Sequence, residues 1–180
     1  EGLARMTVAG EVDGEVVDLR YVVDQDCTLS IHTVNDPEGL AAYRHTTSHI
    51  MAQAVKRLYQ DAKLAIGPSI ADGFYYDMDR ETAFTSDDLE KIEAEMKKII
   101  KEDIEIERFE LPVAEALELM KGQDYKEELI REHAAEGEHI SFYKQGEFVD
   151  LCAGPHLDST GRIKGNAIKL TACNAAYWRG

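Results

Sequence analysis

The chain is poor in cysteine and in positive charge, and it has no long apolar run. Three cysteines, an odd number at wide spacing, exclude a disulfide framework and point to a reducing compartment. No apolar stretch approaches the roughly 20 residues that a membrane helix needs, so no membrane partner is expected. The opening "EGLARMTVAG" lacks the charged start and apolar centre of a signal peptide, and the expected location is the cytoplasm. Lys and Arg number 20 against 35 Asp and Glu, giving a net charge of −15. That balance argues against electrostatic binding of nucleic acid by this region alone, because phosphate contacts need clustered basic side chains. Most of the acid lies between Asp87 and Glu138, alternating with Lys as on solvated helix faces. Internal repeats and low-complexity segments are also missing. The 180 residues suffice for one well-buried domain, or one domain and a small appendage.

What is present reads as strands and helices in alternation. In "MTVAGEVDGEVVDL" apolar and polar positions alternate about Asp13-Gly14, a strong hairpin signal, and "CTLSIHTV" is a further alternating run. These strands are too few to close an independent sheet. At "NDPEGL" the period changes: Asn35 or Asp36 can cap a helix, Pro37 suits its first turn, and Glu38 complements its positive end. Leu40, Tyr43, Ile50, Met51, Ala54, Val55 and Leu58 then recur at helical spacing to about Tyr59. "KLAIGPSIADGFYYDMD" reads as a short strand, a Gly67-Pro68 break and an aromatic strand. A second long helix follows, capped by Thr85 or Ser86, with Leu89, Ile92, Met96, Ile99 and Ile100 as its stripe. "IEIERFEL" is a strand, Pro112 opens a short helix through Met120, and "DYKEELIREHAA" opens another. The tail is strand and turn, punctuated by Gly146, Gly154-Pro155 and Gly165. The predicted class is α+β, with a largely antiparallel sheet packed with helices.

Two short motifs carry chemistry. "RHTTSH" places His45 and His49 four apart, on one side of the first long helix. "DLCAGPH" places Cys152 and His156 four apart across a turn, with Asp150 two residues earlier on the face of Cys152. Two readings are sensible. His45, His49, Cys152 and His156 offer zinc three nitrogens and a thiolate, leaving room for water only if one withdraws. Alternatively, without metal, the imidazoles, Asp150 and a nearby lysine position water against an ester carbonyl and steady the oxyanion. Ligand types alone leave both open. Cys152 has no feature of a low-pKa thiol and is read as a polar wall.

"AIGPSIADGFYYD", the H-x-x-x-H helix before it, "EFVDLCAGPHLDSTG" and the closing "AAYWRG" together resemble the N-terminal region of bacterial threonyl-tRNA synthetase, in that family's order and spacing over nearly the whole chain. The resemblance implies that residues 1–34 are the C-terminal part of a small β-grasp module and 35–180 an editing domain of the type shared with alanyl-tRNA synthetase. It implies hydrolysis of the ester of mischarged seryl-tRNA(Thr) with threonyl-tRNA(Thr) spared. A missing methyl is worth only about 1–3 kcal/mol to a binding pocket, so an enzyme selecting threonine needs a second site against serine.

Carried over by position, the resemblance makes His45, His49, Lys126, Cys152 and His156 catalytic, and Tyr76 and Asp150 substrate-binding. It implies no cofactor for this site. The zinc, Mg and ATP of the threonine–tRNA ligase reaction belong to a catalytic core expected to begin at "YWRG", so ligase activity is expected to be absent. The implied partners are the 3′ end of tRNA(Thr) carrying serine and the rest of the synthetase, with the fragment a monomer and the full enzyme a homodimer. Arg44, Arg162, Lys164 and Lys169 are candidates to line the entrance. Two other readings are a zinc-dependent alanyl-type deacylase acting in trans, and a non-catalytic tRNA-binding module.

Overall fold

The structure, a computed structural model, describes residues 1–135 and 139–178; Glu138 and the final Arg179 and Gly180 lie outside the described residues. The fold is α+β, and among the described residues every strand pairing is antiparallel.

The chain opens with a short helix that the alternating pattern did not predict, α1 (Gly2–Met6), none of it buried. Strands β1 (Thr7–Val12), β2 (Glu15–Val17) and β3 (Leu29–Thr33) form a sheet in the order β2-β1-β3, joined first by the Asp13-Gly14 hairpin. Both turn residues have positive φ, 51° and 89°, as a two-residue hairpin requires. Three strands thus pair where too few were expected for a closed sheet. They lean on the next helix, α2 (Pro37–Leu58): Val8 is buried among Ile50, Ala54 and Met96. Gly39 lies so near β3 that a Cβ there would stand 1.9 Å from the Thr33 carbonyl oxygen. Asp36 occupies the helix N-cap position, but its side chain makes no cap. It turns back to accept from Thr33 N (2.6 Å) and Thr33 Oγ1 (3.1 Å).

α2 is buried on more than one side. Ile50, Ala54 and Val55 face the main core with Ile92, Met96, Ile99 and Ile100 of α3 (Ser86–Glu102), while Leu58, expected on the stripe, is exposed. α3 starts at Thr85 with a reciprocal capping box to Asp88. Between the helices lie four two-residue strands, β4 (Lys63–Leu64), β5 (Ser69–Ile70), β6 (Gly73–Phe74) and β7 (Met78–Asp79), paired β4-β7 and β5-β6.

The second three-stranded sheet has the order β10-β9-β8, from β8 (Ile106–Leu111), β9 (Ile140–Gln145) and β10 (Phe148–Leu151). Alternation along these strands sorts their side chains. Ile140, Phe142, Val149 and Leu151 pack with α4 (Val113–Leu119) and α5 (Asp124–Ala135) through Ala116 and Ile130. Tyr143, Gln145, Phe148 and Asp150 take the opposite phase, and Phe148 packs with Ala52 of α2. A buried polar stripe on α2 meets this side: Thr46, His49 and Gln53 lie at i, i+3 and i+7, and Gln53 bonds Gln145 at 2.7 Å. That stripe positions the site.

Candidate active site

The middle of α2 and the segment after β10 bring the two sequence motifs together. Ring centroids of His45 and His49 stand 5.1 Å apart, and each is 4.2 Å from that of His156. The Cys152 sulfur lies 3.3 Å from His45 Nε2 and 3.2 Å from His156 Nε2, and it accepts from Gly154 N at 3.2 Å. Residues 152–157 belong to no helix or strand, so these contacts, rather than a ladder, shape the turn. Thr46 Oγ1 accepts from Leu157 N (3.0 Å) and faces His156 Nδ1 at 2.9 Å.

Beside this group sits a buried charge pair. Lys126 from α5 donates to Asp150 Oδ1 at 2.7 Å and to the Tyr76 hydroxyl at 2.9 Å. Tyr76 in turn donates to Asp150 Oδ2 at 2.5 Å, and His49 Nε2 stands 3.5 Å from the same oxygen. Lys126 is 3 % exposed and Asp150 1 %, so both charges are withdrawn from solvent. With two partners among the described residues for its three N–H groups, the ammonium keeps one donor for a ligand. Tyr76 is placed by Gly67, where any Cβ would collide with its ring, and Ser48 fixes that turn by donating to the Gly67 carbonyl at 2.6 Å.

Burial governs the charges. It pushes the imidazoles of His45 and His49 down, His49 to about 3, and His156 well below its ordinary value; the Asp150 carboxylate opposes this at His45 and His49. Burial also pushes the Cys152 thiol up to about 12. At Asp150 burial works to raise the value. The Lys126 ammonium, the His49 imidazole and the hydrogen bonds from Lys126 and Tyr76 outweigh it, and the net shift is downward. At neutral pH the site therefore holds three neutral imidazoles, a neutral thiol and an ionised carboxylate.

All seven sequence-predicted residues converge. Six of them, His45, His49, Tyr76, Lys126, Asp150 and Cys152, line a cavity of about 400 Å³, with His156 directly behind. Ile66, Pro68, Leu129, His133 and His139 complete much of the wall. None of Arg44, Arg162, Lys164 and Lys169 lines it. Arg44 is spent on the carbonyls of Ile70 and Ala71, and Arg162 on Asp158 and the carbonyls of Arg5 and Thr7. Sequence reading also passed over Thr46 and Tyr143, whose roles depend on the turn they touch. For Thr46 a signal existed, since it stands between the two histidines in "RHTTSH".

The donor atoms of His45, His49, Cys152 and His156 all lie within 4.8 Å of one another. Tetrahedral zinc, with Zn–N of about 2.0–2.1 Å and Zn–S of about 2.3 Å, holds its donors roughly 3.3–3.7 Å apart, so the set suits such an ion in kind and nearly in spacing. Four protein ligands would close the coordination sphere.

Residues 140–179 match the family described as the threonyl and alanyl tRNA synthetase second additional domain. The chain is 64% identical over 181 residues to the threonine–tRNA ligase of Acetivibrio thermocellus, covering 99% of this chain and 28% of that protein. It is 61% identical over 182 residues to the enzyme of the same name from Clostridioides difficile (100% and 28%), and 58% identical over 180 residues to that of Caldanaerobacter subterraneus (99% and 28%). The chain thus spans just over a quarter of the length of the curated relatives it matches. No helix among the described residues is long and apolar enough to cross a membrane.

Proposed function

Starting from a similarity that runs end to end with the N-terminal region of threonine–tRNA ligases, we propose that this chain is an editing hydrolase domain that cleaves mischarged seryl-tRNA(Thr). The observation that carries the reading is the convergence on one cavity of a buried lysine with a spare donor, its carboxylate partner and neutral imidazoles. In the reaction the oxygen of a water attacks the ester carbonyl carbon. The bond from that carbon to the ribose oxygen breaks, the ribose oxygen takes the proton that the water gives up, and serine and tRNA(Thr) leave.

Lys126 directs its third N–H at the oxyanion that develops on the carbonyl, in a site where burial strengthens the interaction. Neutral His45 and His49 accept hydrogen bonds from the attacking water and hold it in line. Asp150 and Tyr76 fix the ammonium and offer acceptor and hydroxyl groups to the amino group and ribose. Cys152, backed by His156, forms the wall that limits side-chain size, which is where threonine, larger by a methyl, is excluded.

The site works without a metal in this reading. With zinc bound, His45, His49, Cys152 and His156 would be its ligands and the ion would supply Lewis-acid polarisation. Four protein ligands leave no open position for water, however, whereas the Lys126–Asp150–Tyr76 cluster supplies charge and donors on its own. ATP, Mg and the ligase reaction belong to other parts of the synthetase. Those parts also hold the body of tRNA(Thr) in the cytoplasm, since among the described residues Lys126 is the one lysine or arginine that lines the cavity. The chain alone is monomeric, and the full enzyme is a homodimer through its core.

The test is hydrolysis of seryl-tRNA(Thr) beside threonyl-tRNA(Thr), with and without a strong chelator. Selective deacylation of the seryl ester, indifferent to chelator, is the expected result. Chelator-sensitive cleavage would move the site to the zinc-dependent alanyl type. Binding of tRNA without cleavage of either ester would make the chain a recognition module.

A further inference from the structure

Residues 18–20 follow β2 and lie more than a hundred positions before the Cys152–His156 turn, yet they hold that turn in place. The Asp18 carboxylate accepts from His156 N at 3.3 Å and from the Tyr143 hydroxyl at 2.6 Å. Arg20, tied to Asp18 at 2.7 Å, donates to the carbonyl oxygens of His156 (3.4 Å), Leu157 (2.9 Å) and Ile106. Both backbone polar groups of His156 are therefore satisfied by one acid–base pair from outside the motif. No strand ladder does this work, because residues 152–157 lie in no regular element.

Tyr143 extends the hold. Its ring meets that of His156 at 4.5 Å, and its hydroxyl fills the space a side chain at Gly154 would need, 2.1 Å from the ideal Cβ position. Gly154 N bonds the Cys152 sulfur, so a displacement of Tyr143 reaches Cys152 as well as His156.

We propose that Asp18 and Arg20 are positioning residues of the hydrolytic site, and that the segment between β2 and β3 is a working part of it. The proposal rests on the editing reading above. Neither residue lines the cavity; Asp18 acts through His156 N and the Tyr143 hydroxyl, Arg20 through the His156 and Leu157 carbonyls. A merely structural clamp would lower stability alone. A positioning pair lowers the rate of the chemical step while substrate binding persists, since that step is sensitive to small misplacements.

The experiment uses Asp18→Asn, Arg20→Met and Arg20→Lys, with Arg57→Ala as a stability control. Arg57 ties Glu95, Glu102 and Glu147 together and does not line the cavity. The readouts are kcat and KM on seryl-tRNA(Thr), the Tm, and the ring ¹⁵N resonances of His156. Asp18→Asn and Arg20→Met are expected to lower kcat by about tenfold or more with KM within about twofold, and to shift the His156 resonances. Arg20→Lys recovers part of the rate, and Arg57→Ala lowers Tm while leaving kcat unchanged.

Unchanged kcat in the folded Asp18 and Arg20 variants would overturn the proposal. So would a loss that Arg57→Ala reproduces at equal Tm. Should the charge variants not fold, Tyr143→Phe removes only the hydroxyl that Asp18 holds, and it must lower kcat in the same way. Wild-type chain that binds seryl-tRNA(Thr) without hydrolysing it would defeat the editing reading. The His156 ring resonances would then decide the positioning claim by themselves, for it if they shift in the variants and against it if they stay.

Discussion

Lys126 is a full charge at 3 % exposure, and its worth to the fold and to the reaction can be separated. Lys126→Met leaves the Asp150 carboxylate buried with Tyr76 and a neutral imidazole, and breaking one side of a buried pair costs about 3–5 kcal/mol. Denaturant unfolding should show that loss. Adding Asp150→Asn removes the stranded charge and should restore much of the stability. Hydrolysis should fall by about 10²–10³ in kcat in both variants, because the oxyanion donor is missing from both. Recovery of activity along with stability in the double variant would show that Lys126 only holds the fold. Cys152 gives the opposite expectation. Its thiol, pushed up to about 12 by burial, is not a thiolate at neutral pH, so Cys152→Ala should keep hydrolysis within about tenfold of wild type. A loss approaching that of Lys126→Met would mean that the sulfur takes part in the chemistry.

At the scale of elements, two substitutions separate the site from its frame. Thr85→Ala removes the capping box of α3 and should cost about 1 kcal/mol, read as a fall in Tm, with hydrolysis untouched. Gly154 sits at φ 81° against the Tyr143 hydroxyl. Gly154→Ala adds about 1–2 kcal/mol of left-handed strain and displaces Tyr143, so it should lower both Tm and hydrolysis. Such elements also mark how far sequence reading reaches. α2 and α3 were legible because Pro37 and Thr85 punctuate long 3.6-residue periods. The strand parity that puts Asp150 and Cys152 on one side was legible from a period of two. The polar stripe Thr46–His49–Gln53 was not, because polar residues on a helix read as solvent-facing until a second polar surface covers them. Local pattern alone does not single out Lys126 and Tyr76 either, because the partner that draws both inward, Asp150, is distant in sequence. Asp18 and Arg20 gave no signal at all, since their partners are the backbone of a turn that no local pattern announces.

For the molecule as a whole, the buried imidazoles set how stability depends on pH. His45, His49 and His156 are held below their ordinary value by burial, so between pH 6.5 and their folded values the unfolded chain binds more protons than the folded one. Stability then rises with pH through that window and falls as pH drops below 6.5, by up to about 1.4 kcal/mol per pH unit for each imidazole. For His49 the window extends down to about 3. Carboxylates act lower. Asp18 and Asp150 are depressed, as is Glu147, which Arg57 draws down to about 2, and the stability they lend is lost only as pH falls from about 4.5 through their folded values. The net charge of −15 works the other way, because protonation relieves repulsion among exposed acids. Those charges are spread over the surface and screened within about 8 Å at physiological ionic strength, whereas the imidazoles are dry, so the histidine effect dominates. Urea unfolding of chelator-treated protein should show a lower midpoint at about pH 5.5 than at about pH 7.5, and His49→Gln should flatten that dependence. A midpoint that stays level or rises on acidification would mean that the imidazoles are hydrated or already charged in the folded chain. Neutral His45 and His49 would then no longer be there to accept hydrogen bonds from the attacking water.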